Sequence, residues 1–405
     1  MLQSAPSAAE KSVRLAEKCN HMSDSVLVEP VPMTPLAAHL SSAAKSPRLI
    51  EYHGALTPQE LDVLGAEIEA LISGAAVHDL GWFRRVVVRG DDRLRWLSGM
   101  VTNTVSGLEP NTGAWNLVLN AQGRIQGDLT VWREGHAPLT GEMSTTLDPA
   151  LTLEIAADQY EHLHAHLEHF IIMDDVELLS VGVEPGSEET ALGLAGPHAD
   201  EVLQRMGLPT LSEPMTCTRV EWNGLDLRIL RGYGSLVPHY ELWTPVAGVV
   251  RLWRTCTTAG AVPVGCRTLE AFRIAEGIPV YGQDMVERDL PQETSQLRAL
   301  HFNKGCYLGQ EIVERIRSRG SVHRHLRQLE LHGPLPAHGT ELVLEGTVAG
   351  NITSTAELQL PNGRRTFALA MLRADAESRN ELLTYSTGVA TGTARILAAP
   401  PTLSA

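Results

Sequence analysis

The sequence predicts an α+β protein with lobes of mostly antiparallel sheet and packed helices, followed by a small all-β barrel or sandwich. Patterns typical of strands and helices alternate up to about residue 320, with hairpin signals between them. From about residue 322 the pattern changes to short strands separated by glycine and proline. No segment repeats at a fixed period.

The composition fits a globular protein of a reducing compartment. Of 405 residues, 43% are apolar and 5% aromatic, so the core must rely on Leu, Val, Ile and Ala. The net charge of −15 argues against a nucleic-acid binder, which needs a surplus of Lys and Arg. The five cysteines form no Cys-x-x-Cys pair, which disfavours disulfides and structural zinc and favours the cytoplasm. No apolar run reaches the ~18–20 residues that span a bilayer, so we expect no membrane association.

The N-terminal stretch, residues 1–54, is rich in Ala, Ser and Pro, and we expect it to be a flexible leader. The alternative is that Met22 or Met33 is the true start. A helix is predicted directly after the leader, because Thr57 is a suitable N-cap and Pro58 fits the first helical turn.

The following elements alternate along the chain and divide it into two parts. Strands are predicted in "FRRVVVRG", "AWNLVLNAQGRIQGDLTVWRE", "LTLEIAAD", "ETALGLAGP", "TRVEWNGLDLRILRG" and "HYELW". Helices are predicted in "DDRLRWLSGMVTNTV", "QYEHLHAHLEHF", "HADEVLQRMG", "GVVRLWRTCTTAG", "CRTLEAFRIAEG" and "QEIVERIRSR". We therefore expect two interleaved α+β lobes over residues 55–321 and a β-barrel over residues 322–405.

The segment "KGCYLGQE", from Lys304 to Glu311, contains a cysteine that could be a reactive thiol. Cys306 lies near the predicted start of a helix, where backbone N–H groups and Lys304 both favour a thiolate, whereas Glu311 opposes it. A buried, inert Cys in a tight turn is the alternative. The residues alone leave both interpretations open.

Two acidic residues lie at positions where an acidic side chain is unfavourable, one at the end of a helix and one inside a strand. Glu276 ends a predicted helix, where the helix dipole repels an anion. A bidentate contact to a ligand edge with two N–H donors, such as that of a pterin, would explain it, and an exposed helix end is the alternative. Asp128 lies inside a predicted strand, where a functional role and a β-bulge are comparable explanations.

Histidines and arginines also cluster, but neither cluster predicts a site. His162 and His166 are four residues apart on one helix, yet no further ligand completes a set, so we expect no metal site. The run from Arg315 to Arg319 is typical of a solvent-exposed face, and a local patch for an anionic tail is the alternative.

With these segments assembled, the chain resembles the YgfZ-type folate-binding proteins, relatives of the glycine-cleavage T-protein (aminomethyltransferase). "KGCYLGQE" matches the signature K-G-C-Y-x-G-Q-E at every fixed position. "WLSGMVTNTV", "LVLNAQGRIQGDLTVW", "RIAEGIPVYGQDM" and "GTVAGNITSTA" are similar to other family segments, with Thr104 in place of an Asp and Ala349 in place of a Gly. The resemblance covers about residues 75 to 400.

The resemblance implies a three-lobed ring of two ferredoxin-like α+β lobes and a C-terminal small β-barrel, with tetrahydrofolate or a derivative bound non-covalently in the central hole. Glu276 would hold the pterin edge, Asp128 would lie near the ring nitrogens, and Cys306 would be the signature thiol. The residues that we expect to act in catalysis are Cys306, Lys304 and Asp128. The residues that we expect to bind folate are Glu276, Trp82, Phe83, Arg273, Tyr307 and Gln310.

Two departures from the T-protein pattern bear on activity. The T-protein "GYTGE" is replaced by "GYGSLVPHYE" (Gly232–Glu241), which argues against aminomethyl transfer. A second family tryptophan has no match, so Phe272 or Arg273 would take its place. The leading hypothesis is a monomeric, cytosolic tetrahydrofolate-binding protein that supports assembly or repair of iron–sulfur clusters in client proteins. A folate-dependent one-carbon transferase and a non-catalytic folate-binding scaffold are the alternatives.

Overall fold

The computed structural model describes residues 30–42, 46–135, 150–182 and 188–403, apart from the side chain of Arg319. From Met33 onward these residues form one compact unit. Its helices are α1 (Pro35–Ser41), α2 (Leu64–Ser73), α3 (Arg93–Met100), α4 (Ala157–His169), α5 (Ala199–Arg205), α6 (Val249–Thr258), α7 (Cys266–Glu276), α8 (Gln310–Arg319) and α9 (Ala374–Arg379).

The strands fall into two groups along the chain. Those before α8 are β1 (Leu49–Tyr52), β2 (Ala55–Pro58), β3 (Ala76–Asp79), β4 (Phe83–Arg89), β5 (Thr112–Leu119), β6 (Ile125–Glu134), β7 (Ala150–Ala156), β8 (Glu177–Ser180), β9 (Glu189–Ala195), β10 (Thr216–Trp222), β11 (Leu225–Arg231), β12 (His239–Pro245) and β13 (Val262–Val264). Those after it are β14 (Arg324–His332), β15 (Glu341–Leu344), β16 (Thr347–Leu360), β17 (Gly363–Arg373), β18 (Leu383–Ser386) and β19 (Thr391–Ile396).

Helix and strand begin inside the stretch that was predicted to be a leader ending at residue 54. Thr34 caps α1 by accepting the Ala37 N–H at 3.1 Å, and Leu36 is fully buried in the core. Strands β1 and β2 then form a hairpin. The part of the predicted leader before residue 30 lies outside the described residues.

The predicted helix start at Thr57 is wrong. Thr57 and Pro58 belong to β2, where they pair with Ile50 and Leu49 of β1, and α2 begins only at Leu64. The Thr57 hydroxyl donates to the carboxylate of Asp79 at 3.2 Å instead of capping a helix. Strand pairing and burial have overridden a local capping signal.

A large sheet carries both α+β lobes, in the order β13-β3-β9-β12-β11-β10-β5-β6-β7-β4-β8. Its two halves meet where β10 pairs with β5 through Thr216 and Thr112. Among the described strands the β13–β3 ladder is parallel and the other ladders of this sheet are antiparallel, as predicted. The predicted hairpin at Asn223-Gly224 joins β10 to β11, with both residues at positive φ.

The C-terminal strands close into a six-stranded barrel in the order β14-β17-β16-β15-β18-β19. One hydrophobic cluster joins this barrel to the lobes. In it, Leu71 of α2 and Phe272 of α7 pack with Leu358 and Phe367 of the barrel. The predicted α+β fold, with two ferredoxin-like lobes that share the large sheet and a C-terminal barrel, is therefore confirmed. Within the described residues, no helix has the length and apolar character needed to cross a membrane.

Candidate functional site

A cavity of about 440 Å³ lies where both halves of the large sheet meet α7 and the segment before α8. It contains five of the residues that the sequence assigned to the site, from three separate segments of the chain. They are Trp82, Phe83, Asp128, Arg273 and Glu276. A volume of this size is typical of a site for a small organic ligand.

Trp82 and Phe83 form an aromatic wall of this cavity at the start of β4. Trp82 is buried and packs edge-on against Tyr52, with ring centroids 5.0 Å apart. Phe83 lies 6.2 Å from Trp82 and is half-buried. Of the two, Phe83 therefore offers more ring surface to a ligand.

Asp128 lines the cavity from β6 with both carboxylate oxygens engaged. One accepts the Trp115 indole N–H at 2.8 Å and the other the Gln159 amide at 3.1 Å. Burial raises the pKa of Asp128, which these hydrogen bonds partly offset. The side chain is thus held in one orientation, with a proton affinity above that of a free Asp.

Glu276 is the last residue of α7, as predicted, and Gly277 follows it in the left-handed conformation. Its carboxylate accepts the Leu236 N–H at 3.1 Å. Burial raises the pKa of Glu276 to about 7, although this hydrogen bond opposes the shift. The carboxylate retains acceptor capacity for a ligand.

Arg273 reaches the cavity, but its donors are occupied by the protein. The guanidinium binds Glu270, Asp284 and Ser354, and it also donates to the Ile278 carbonyl at 3.1 Å. It connects α7 to β16 of the barrel. We therefore regard its role as structural, in contrast to the predicted contact with folate.

Lys304 does not line the cavity, but it binds the backbone of a segment that does. Its ammonium donates to the carbonyl oxygens of Val101 and Asn103, at 2.6 and 2.7 Å. Burial lowers the pKa of this ammonium to about 7. The Asn103 side chain in turn lines the cavity and donates to the carbonyl oxygens of Trp115 and Arg298. These contacts favour a positioning role over the predicted activation of Cys306.

Cys306 is exposed and does not line the cavity. Three other described cysteines, Cys217, Cys256 and Cys266, are buried, and burial raises the pKa of each thiol to about 12. Thiols with such a high pKa are unreactive near neutral pH. Among the cysteines that the structure describes, Cys306 is thus the one accessible to a partner.

Tyr307 and Gln310, both predicted to bind folate, instead shape the start of α8. Tyr307 is buried in a cluster with Leu117 and Val313. The side chain of Gln310 accepts the Tyr307 N–H at 3.2 Å. Neither lines the cavity, and the cluster that buries Tyr307 includes Leu117 and Leu119 of β5.

Sequence reasoning missed an arginine that lies between two aromatic rings. Arg298 lines the cavity, with its guanidinium carbon 4.8 Å from the centroid of Trp115 and 3.8 Å from that of Tyr233. The Arg298 segment matches no motif recognised in the sequence. Only the fold brings these three residues together.

Sequence reasoning also missed a second acidic group in the cavity. Glu154 of β7 and Glu241 of β12 are both buried and line it, together with His78 and His239. Burial and the neighbouring Glu241 raise the pKa of Glu154 well above its usual value, and burial lowers that of His78 to about 3. A neutral carboxylic acid at Glu154 and a neutral imidazole at His78 can hold a heterocycle by hydrogen bonds.

The histidines His162 and His166 both lie on α4. The rings of His162 and His166 are 6.5 Å apart. No group of three or more His, Cys, Asp or Glu suited to a metal ion occurs among the described residues.

Comparison with known proteins finds relatives of this chain and a solved structure with a similar fold. An aminomethyltransferase of Geobacillus kaustophilus is 26% identical over 338 residues, which cover 81% of this chain and 87% of the relative. A putative chloroplastic transferase of Arabidopsis thaliana is 26% identical over 325 residues, or 78% of this chain and 69% of the relative. The crystal structure of the glycine cleavage system aminomethyltransferase T from Bartonella henselae shares the fold, with a TM-score of 0.78 over 93% of this chain and 99% of that chain, at 17% identity.

The family model for the GCVT N-terminal domain matches residues 37–304, a range that includes every strand of the large sheet and all the residues that line the cavity. The protein therefore belongs to the GCVT N-terminal domain family.

Proposed function

We propose that this protein is a cytosolic, YgfZ-type binder of tetrahydrofolate or a derivative, and that it supports iron–sulfur cluster assembly or repair in client proteins. The observation that carries the proposal is the convergence of Phe83, Asp128 and Glu276 on one cavity of about 440 Å³. A carboxylate suits the N–H edge of a pterin, and an aromatic ring suits its face. The aminomethyltransferase relatives support a folate-related ligand.

The proposal predicts binding of a reduced folate that depends on Phe83. We expect the purified protein to bind 5-formyl-tetrahydrofolate in calorimetric titration. Because ring stacking contributes about 0.5–1.5 kcal/mol, Phe83→Ala should weaken binding about two- to twelvefold. Phe302→Ala removes another half-buried phenylalanine, one that lies outside the cavity, and should leave the affinity unchanged. Absence of binding to the wild-type protein would refute the proposal.

The accessory role rests on the surface position of Cys306. The thiol is exposed at a loop whose Lys304 holds the cavity wall through Asn103. An exposed thiol beside a folate site can meet a protein client without displacing the folate. The full match of "KGCYLGQE" to the YgfZ signature supports this assignment.

Cys306→Ala should separate folate binding from the accessory role. We expect the folate affinity to stay within about twofold of wild type, because the thiol lies outside the cavity. Activity of iron–sulfur enzymes in a strain that lacks this gene should not be restored by the variant. Cys256→Ala removes a buried, unreactive thiol and should restore it. Full rescue by Cys306→Ala would exclude a role for the thiol.

Aminomethyl transfer is the second candidate, and Asp128 is the observation that favours it. Its carboxylate is fixed by Trp115 and Gln159 inside the cavity, and its raised pKa suits proton exchange with a folate nitrogen. Formation of methylene-tetrahydrofolate from an aminomethyl donor by wild type, and its loss in Asp128→Asn, would favour this candidate over the accessory role.

A further inference from the structure

The two halves of the large sheet share little backbone pairing. At the junction between them, β5 and β10 pair through Thr112 and Thr216. Beside this pair, the Cys217 N–H donates to the carbonyl of Asn111 at 2.9 Å. Because each backbone hydrogen bond contributes little net stability, side chains that meet across the junction are needed to hold the halves together.

Four charged side chains cross the junction in a closed ring. Arg85 of β4 and Glu134 of β6 come from one half, and Glu189 of β9 and Arg228 of β11 come from the other. Arg85 donates to Glu189 at 3.0 Å, and Arg228 lies 3.0 Å from Glu134. Within each half, Arg85 also pairs with Glu134 and Arg228 with Glu189. The charges of the ring therefore balance, and each half supplies one of each sign.

A pair of carboxyl groups meets across the same junction. Glu154 of β7 is in hydrogen-bond contact with Glu241 of β12. Since ionised carboxylates only accept hydrogen bonds, this contact requires a proton on one of the two. Burial and Glu241 raise the pKa of Glu154 well above its usual value, although Arg85 and Trp132 oppose the shift. Glu241 also accepts the indole N–H of Trp243 at 3.0 Å.

The other ionisable groups beside this pair do not replace the shared proton. His78 and His239 are buried in the same cavity wall, and burial lowers the pKa of both, so they are neutral near pH 7. Arg85 faces the pair, but its guanidinium is already bound by Glu134 and Glu189. Loss of the proton would therefore place two carboxylates in contact across the junction without a free cation.

We propose that the ring of four charges and the proton shared by Glu154 and Glu241 hold the two halves of the sheet together, and that loss of this proton at alkaline pH opens the junction. The inference goes beyond the proposed function, because it concerns the ligand-free protein and no folate enters its test. The ring should keep its charges up to about pH 9, because burial lowers the pKa of Arg85 only to about 10 and ion-paired carboxylates stay ionised. The carboxyl pair is thus the pH-sensitive part of the junction.

The sign of the pH dependence follows from the raised pKa of Glu154. The closed junction holds the proton more tightly than an open junction does, where the carboxyl group meets water. Opening should therefore increase as pH rises from the ordinary pKa of Glu to the raised value, and then level off.

Cys217 of β10 reports on opening, because it is buried in one cluster with Trp132 and Trp243 at the junction. The rate at which iodoacetamide labels Cys217 is measured by mass spectrometry in wild type and in Glu154→Gln, which cannot ionise. We expect the ratio of the wild-type rate to the variant rate to rise at least about tenfold between pH 6 and pH 9. Comparison at equal pH cancels the ionisation of the thiol itself. A ratio that does not change with pH would overturn the inference.

Cys256 of α6 is the internal control, since burial raises the pKa of this thiol and of Cys217 alike to about 12. It lies in a different core cluster from Cys217. In wild type at pH 9 it should react at least about tenfold more slowly than Cys217, because opening of the junction leaves its cluster closed. Equal rates for the two thiols would indicate unfolding of the whole chain and would contradict the inference.

Two further variants separate the proton from the ring. Glu241→Gln removes the other member of the carboxyl pair and should abolish the pH dependence of Cys217 labelling, as Glu154→Gln does. Glu189→Gln leaves two guanidinium groups with one carboxylate, so it should speed Cys217 labelling at least about tenfold already at pH 6. An unchanged rate in Glu189→Gln would show that the ion pairs do not hold the junction, and the inference would fail.

Discussion

Glu276→Gln should weaken binding of reduced folate about ten- to a hundredfold, because a hydrogen bond to a charged group contributes about 1.5–3 kcal/mol. The same change should stabilise the protein at alkaline pH. Burial raises the pKa of Glu276 to about 7, so the folded state holds this proton more tightly than the unfolded state does. The free energy of unfolding therefore falls as pH rises from the ordinary pKa of Glu to about 7, and the cost of the ionised carboxylate is complete above that pH.

The difference in stability between Glu276→Gln and wild type should depend on pH. At pH 8 the glutamine variant should be more stable than wild type by about 1 kcal/mol, a value reduced because the carboxylate keeps contact with solvent. At pH 5 the two should be nearly equal. Folate affinity of the wild type should rise with pH up to about 7 and then level off, whereas that of the variant should stay flat. Urea unfolding and calorimetric titration at the two pH values measure both effects.

Two other carboxylates serve as comparisons. Burial alone would raise the pKa of Glu330, but hydrogen bonds from Arg365 and Arg395 lower it, so Glu330→Gln should destabilise the protein at pH 8 without affecting folate. Glu241→Gln tests the second acidic group of the cavity. If this variant loses folate binding and Glu276→Gln retains it, the pterin edge lies at the Glu154–Glu241 pair, and the assignment of Glu276 is wrong.

Arg273→Ala should lower the free energy of unfolding by about 3–5 kcal/mol, the usual effect of breaking a buried ion pair. The side chain of Asp284 is fully buried and pairs with this guanidinium. Asp284 also accepts hydrogen bonds from Thr353 and Ser354 of the barrel. Removing the arginine would leave a buried, uncompensated carboxylate between α7 and the barrel. Urea unfolding measures the loss.

The same helix supplies the control for this prediction. Arg267 forms an ion pair with Glu60, but its side chain is 57% exposed, so Arg267→Ala should change stability by less than about 1 kcal/mol. Adding Asp284→Asn to Arg273→Ala should recover part of the stability, because the unpaired charge is removed. If this stabilised double variant still loses more than about tenfold in folate affinity, Arg273 binds the ligand after all.

The elements that local patterns determine were predicted well. The hairpin at Asn223-Gly224 and the end of α7 at Glu276 both follow from residues within one or two turns of each other. The segment at Thr57 was predicted wrongly because its capping pattern is local, whereas its pairing with β1 and its contact with Asp79 are not. A local sequence pattern contains no information about the stability that β1 and Asp79 supply.

The sequence by itself determined the class of fold, the position of Asp128 and Glu276 on their elements, and the signature around Cys306. The tertiary structure decided which of those side chains share a cavity, and it added Arg298, Trp115 and the Glu154–Glu241 pair. It also assigned the donors of Arg273 and Lys304 to protein acceptors. The physical reason is that periodicity fixes the face on which a side chain lies, whereas the groups that it meets there depend on packing between segments far apart in the chain.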